Sequence, residues 1–181
     1  MVYHKSVGTR IVNAMLTLLE NEVAPYWSES GQTDWFMPIS FQKTSVPEMQ
    51  KEKLQTAKCF LMLGGLEGKE HDRAWDYLRY TVAVGVAKSV ATGSASRESD
   101  FDDCVALTEQ IQDFISWDSQ QTLTLPAVFD GGSVEIQPEN SARLILHFEN
   151  NPIYDPQILR TEGVYLSVTN FVYHFEKLRT E

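Results

Sequence analysis

Four histidines, two cysteines and one glycine-rich run are the parts of this chain best suited to chemistry, so their spacing limits the reactions it can support. The histidines are His4, His71, His147 and His174. No two have the helical spacing that turns a pair of imidazoles toward one ion, and neither Cys59 nor Cys104 belongs to a Cys-x-x-Cys pair. A metal centre is therefore not expected. His147 and His174 fall in segments that read as strands and could be neighbours, which would allow an acid–base or metal pair. Strand histidines that face solvent or a satisfied partner are the commoner arrangement.

The run Gly64-Gly65-Leu66-Glu67-Gly68-Lys69 has the glycines and lysine of a phosphate loop without its Gly-x-x-x-x-Gly-Lys-Ser/Thr spacing. Glu70 also stands where a hydroxyl should follow the lysine, so a nucleotide site is not expected. No Gly-x-Ser-x-Gly elbow exposes a nucleophile, and Ser40 and Ser167 lie in strand patterns. Asp100, Asp102 and Asp103 are explained by a solvated helix N-terminus without a bound cation. Trp27, Trp35, Trp75 and Trp117 fall at or near element ends, where core edges and subunit interfaces both suit an indole. The residues form no catalytic constellation and imply no cofactor, which shifts weight toward a structural or binding role.

The elements that must position these groups follow from apolar periodicity. Ile11, Met15, Leu18, Leu19 and Val23 recur at three and four, predicting an amphipathic helix over residues 5–24 that Pro25 closes. Trp35, Met37, Ile39 and Phe41 alternate as a short strand with Pro38 inside it, which assigns it to an edge position or a bulge. Residues 44–58 read as a loop with one turn of helix. Residues 59–63 then form a short buried strand stopped by Gly64 and Gly65, with a loop over 64–72.

Residues 75–90 carry a clear period of two. Leu78, Tyr80, Val82, Val84 and Val86 make one bulky side, and Thr81, Ala83, Gly85 and Ala87 make a small one. A helix is expected against the small side, where it can approach closely. Residues 91–99 read as a polar loop. Ser99 or Asp100 then caps a helix whose Phe101, Cys104, Leu107, Ile111, Phe114 and Ile115 repeat at three and four, ending near Trp117. Residues 122–129 and 133–136 flank Asp130-Gly131-Gly132 as a hairpin, with Pro126 marking an edge, and residues 143–148 form a further strand.

The last segment organises the rest. Pro152 and Pro156 bracket Tyr154 and Asp155 in a turn-rich loop, which feeds a long strand over 164–175. Both of its sides are largely apolar, as in a strand covered on two faces. Helix, strands, helix, hairpin, strand and final strand make an α+β order: a mixed, mainly antiparallel sheet flanked by two main helices. One domain is expected over residues 1–181, with a possible loop insertion at 44–72.

Composition narrows the function classes. With 43% hydrophobic and 22% charged residues the chain is an ordinary globular one. Its net charge of −10 and lack of a basic stripe disfavour tight nucleic-acid binding through phosphates. The cysteines, each in an apolar stretch, read as buried free thiols. No signal-peptide core and no apolar run of about 18 residues is present, so an intracellular protein, or one assembled inside a cell, is expected.

Two stretches then look familiar together. Residues 79–115 couple a Val-alternating strand ending in Lys88 to a helix that closes Leu-Thr-Glu-Gln-Ile-Gln-Asp-Phe. Residues 150–176 give Asn-Asn-Pro-Ile-Tyr-Asp-Pro-Gln-Ile-Leu-Arg before an alternating terminal strand. This order resembles the small tail-terminator-like and neck proteins of tailed bacteriophages, in which a Tyr-Asp-Pro-x-x-Leu motif precedes the last strand. The similarity covers about half the chain; residues 44–72 and the hairpin near 130 have no part in it.

The resemblance implies a subunit that assembles as a ring, commonly of six, at the head-proximal end of the tail. Such a ring ends tail-tube growth and joins the tail to the head, so its partners are its own copies, the tail tube protein and the head–tail connector proteins. It would sit in the virion neck, away from any membrane, and DNA would pass through its acidic lumen without specific binding. On this reading, residues 91–99 and the loop carrying Asn151, Pro152, Tyr154, Asp155, Pro156 and Leu159 face neighbouring subunits. Tyr154 either anchors that contact or packs under its own loop, and Arg160 pairs with an acidic residue across the contact. The alternatives are another neck protein, such as a head-completion or stopper protein, and a small cytoplasmic enzyme with its site between the strands of His147 and His174.

Overall fold

In a computed structural model of the chain, the residues described are 7–21, 35, 37–71, 75–91, 94–116, 122–125, 128–130, 133–135, 141–148 and 153–178. Helix α1 spans Val7–Asn21, followed by β1 (Ile39–Lys43), a 3-10 turn at Lys51–Lys53, β2 (Ala57–His71), β3 (Trp75–Ser89) and α2 (Ser94–Ser116). The second half supplies β4 (Thr122–Thr124), β5 (Val128–Asp130), β6 (Ser133–Glu135), β7 (Ser141–Phe148), α3 (Pro156–Glu162) and β8 (Val164–Leu178). A curled six-stranded sheet runs in the order β1-β2-β3-β8-β7-β4, and β5 and β6 form a separate antiparallel ribbon. Among the described residues only the β1–β2 pair is parallel, so this is the α+β, mainly antiparallel sheet that the element order predicts.

The long terminal strand lies at the centre of this sheet. β8 pairs with β3 without interruption from Ser89↔Val164 to Trp75↔Leu178, and with β7 on its other side. β1 is an edge strand, but it begins at Ile39, so Pro38, expected inside the strand, lies just ahead of it and takes no part in the pairing. Cys59 and Cys104 are buried free thiols, and burial raises the pKa of both.

Register assigns the faces. Val82, Val84 and Val86 of β3 lie opposite Phe171, Thr169 and Ser167 of β8, and this side carries the main core. Ile11, Met15 and Leu19 of α1 and Leu107, Ile111 and Ile115 of α2 close over it, all essentially inaccessible to water. Both main helices therefore cover the bulky side of β3, and the expectation of a helix on Ala83, Gly85 and Ala87 is corrected. More apolar area is removed from water on the valine side, which decides the contest. At Gly85 a Cβ would meet only the neighbouring strand, the Ser167 carbonyl oxygen at 3.4 Å and Val168 Cγ2 at 3.6 Å, both ordinary contacts, and no helix. Ala87 packs instead into a small second cluster with Leu54, Phe60 and Val164.

Four other expectations change. Residues 64–71 continue β2, because register shifts at Leu63/Gly65 and Leu66/Gly68 absorb the glycines as irregularities within the strand. Helix α2 begins at Ser94, so residues 94–99 are helix, Asp100 lies inside it and no acidic residue occupies its first turn. Residues 122–129 divide between β4 in the main sheet and β5 in the ribbon, with Leu125 buried at the break. β8 is covered completely on one side only: Tyr165, Ser167, Thr169, Phe171, Tyr173 and Phe175 are buried, while Leu166, Val168, Asn170 and His174 on the other side are half-exposed.

Candidate functional site

The segment leading into β8 is a built structure. Asp155 takes an extended conformation, and its Oδ1 accepts hydrogen bonds from the backbone N–H groups of Gln157 (2.8 Å) and Ile158 (3.1 Å). These are donors that a helix start leaves without intrahelical partners. Pro156 follows at the first helical position, where its missing N–H costs nothing. Gly163 ends the helix at φ 63°, the left-handed cap that glycine adopts without a Cβ clash. Residues 156–162 are thus a capped helix where a loop was expected. The helix is tied to the body by Asp155 N–H to Leu166 O at 2.8 Å and Val90 N–H to Gly163 O at 2.9 Å.

Tyr154 fixes the approach to this helix. Its ring meets Phe101 of α2 edge-on at 4.8 Å and lies nearly parallel to Tyr165 of β8 at 6.2 Å, while Phe101 and Tyr165 meet at 5.8 Å. The three rings join the loop, α2 and β8, so Tyr154 packs within its own chain. Leu159 is likewise half-buried against the core, and its carbonyl accepts a 3.4 Å bond from Arg97 Nη2. Asp155 is committed to the cap. Pro156, Gln157, Arg160, Thr161 and Glu162 are exposed, and Asn151 and Pro152 lie outside the described residues. Arg160 sits in the last turn of α3, where a cation complements the helix dipole.

The start of α2 is braced against the same corner. Asp100 Oδ2 accepts the Ala91 N–H at 3.0 Å, and Lys88 Nζ lies 3.3 Å from its other oxygen. These bonds, the backbone one foremost, lower the Asp100 pKa below its ordinary value. Asp100 therefore closes a loop and pairs with Lys88. Among the described residues, no group of His, Cys, Asp and Glu could hold a metal ion.

A second surface was not singled out by sequence reasoning. Where short β4 stops beside longer β7, a cleft of about 630 Å³ opens, lined by Thr122, Ser141, Arg143, Leu144, Ile145, His174 and Glu176. Thr122 pairs with Arg143, and Arg143 with His174, so these three side chains share the sheet face opposite the main core. His174 Nε2 has no hydrogen-bond partner among the described residues, lies 3.6 Å from Glu176 Oε1, and has the Tyr77 ring edge-on at 5.7 Å. Polar residues alternating with apolar ones, Ser141 and Arg143 in β7 and His174 and Glu176 in β8, were the available signal.

The two strand histidines are not brought together. β7 and β8 are neighbours, but His147 lies opposite Phe171 and His174 opposite Arg143. His4 lies outside the described residues, and the Gly64–Lys69 run is strand. Among the described residues, no helix is long and apolar enough to cross a membrane. Comparison with protein-family models gives no match, and a search of curated proteins gives none either.

Proposed function

We propose that this chain is a structural virion subunit of a tailed phage. It forms a ring, six-membered by analogy, at the head-proximal end of the tail, where the ring ends the tail tube and joins it to the head. The resemblance of residues 79–115 and 150–176 to tail-terminator-like and neck proteins supports this reading, and so does the α+β architecture. The observation that carries it is the capped helix α3. Asp155, Gly163 and the Tyr154 ring cluster hold it rigidly, and it presents Gln157, Arg160 and Thr161 outward. A rigid exposed ridge loses little conformational freedom on docking, as a repeated assembly contact requires.

Within this reading, Tyr154 and Leu159 set the position of the docking ridge from inside, while Pro156 and Arg160 touch the neighbour. The partners are further copies of the chain, the tail tube protein and the connector proteins. The net charge of −10 lets DNA pass the lumen without the counterion release that would make it stick. The deciding experiment removes this subunit from an assembling phage and images the products. Separate filled heads and tails of irregular length are expected. Heads without tails but with normal isolated tails would move the subunit to a head-completion or stopper role. Complete infectious particles would overturn the proposal.

A further inference from the structure

We infer that the cleft between β4, β7 and β8 is the socket for the acidic ridge of α2 from a second copy of the chain. This inference rests on the ring reading and names the surfaces that would make it. Glu98, Asp102, Glu109 and Asp113 are all exposed, and their spacing places them within an arc of about 60° on α2. That arc lies opposite the stripe of Cys104, Leu107, Ile111 and Ile115 that enters the core. Between Glu98 and Asp113 the ridge extends about 22 Å, long enough to span a standard protein interface. None of the four carboxylates has an ion-pair partner among the described residues.

The cleft supplies the complementary charge. Arg143 is exposed and has no ion-pair partner among the described residues, a notable position for a cation in a chain of net charge −10. The register sets Arg143, His174 and Arg79 in one row across β7, β8 and β3, and among the described residues Glu176 is the one carboxylate lining the cleft. Beside Arg143, Ile145 is 46% exposed at the cleft wall, an apolar surface that would keep water from a docked pair. A cleft of about 630 Å³ admits the ends of several ridge side chains.

Geometry then favours a ring over a pair. Helix α2 lies over the main-core face of the sheet, and Arg143 and His174 belong to the opposite face. A contact between two different surfaces on opposite faces is head-to-tail, and it closes into a ring when the rotation between copies permits.

The test is sedimentation velocity on the full chain at low and high salt, with thermal melts as a folding control. The variants are Arg143→Glu, the pair Asp102→Lys with Glu109→Lys, and all three together. Each reversal alone should weaken self-association by about tenfold or more, and the combination should restore most of the loss. Association should also weaken as salt rises. If Arg143→Glu does not fold, Arg143→Gln gives a smaller loss of the same sign. Self-association that ignores every reversal overturns the socket and leaves the ring reading standing. A wild-type chain that stays monomeric and does not co-sediment with tails overturns both. Self-association unchanged by Arg143→Glu, together with lost retention of duplex DNA, would mark a phosphate site and overturn the inference.

Discussion

The hydroxyl oxygens of Tyr165 and Thr108 lie 2.9 Å apart between β8 and α2, both residues buried. Thr108 donates its own proton to the Cys104 carbonyl at 2.8 Å, so Tyr165 is the donor of the shared bond. Burial pushes the Tyr165 phenol up to about 12, which keeps that proton in place at neutral pH. Gln112 makes a parallel contact to Thr169 one turn along, so α2 is registered on β8 by hydrogen bonds as well as by packing. Tyr165→Phe should cost about 1 kcal/mol, because Thr108 keeps its bond to Cys104. Tyr165→Ala removes the ring that Tyr154 and Phe101 pack on and should cost about 3–5 kcal/mol. Thermal melts separate the two, at about 2–4 °C per kcal/mol for a chain of this size. Equal losses would show that the hydroxyl, and not the ring, holds the corner.

The Asp155 cap makes a second prediction. Asp155→Ala leaves the N–H groups of Gln157 and Ile158 without their acceptor and should cost about 0.5–2 kcal/mol. Asp155→Asn keeps an acceptor oxygen and should cost much less. Amide exchange at Gln157 and Ile158 should quicken in the alanine variant before any change in β8. If exchange there is unchanged, the helix is held by its tertiary bonds and the cap contributes nothing.

These residues also show what could be read before the fold was known. The strand pattern of β3 was legible because residues 78–87 alternate bulky and small side chains, and that of β8 because residues 164–175 form a long apolar run rich in β-branched and aromatic side chains. Helix α3 was hidden by its two neighbouring prolines, although Asp155, Pro156 and Gly163 are the N-cap, first-position and C-terminal signals in order. The first turn of α2, Ser94 to Arg97, has Ala95 as its one apolar residue, too little to reveal a period. It is fixed by distant partners, Leu159 for Arg97 and Ala91 for Asp100 further along. The cleft depends on β4 lying beside β7, a pairing of distant segments that no local pattern encodes.

Tyr173 offers a test of opposite sign. Its hydroxyl is buried with no hydrogen-bond partner among the described residues, and burial raises its pKa. Leaving a buried hydroxyl unpaired costs about 1–3 kcal/mol, so Tyr173→Phe should leave stability unchanged or raise it. Chemical denaturation of the two proteins gives the comparison. A loss above about 1 kcal/mol would mean that the phenol has a partner, an ordered water or a group brought by assembly.

Asp100 ties the end of β3 to α2 and makes that corner sensitive to acid. Its folded-state pKa is lowered, first by the bond from the Ala91 N–H and then by Lys88. In the unfolded chain it returns to about 3.9. A depressed folded value means that the unfolded state binds the proton first as pH falls. The contribution of Asp100 is therefore complete above the unfolded value and is lost as pH drops through the folded one. Asp100→Asn should lower stability at pH 7 and flatten its decline on acidification below about pH 4, so that the two proteins converge in acid. Denaturation midpoints across that range provide the measurement. Parallel curves at every pH would show that the carboxylate charge has no part in holding Ala91, and that an amide oxygen serves the loop equally well.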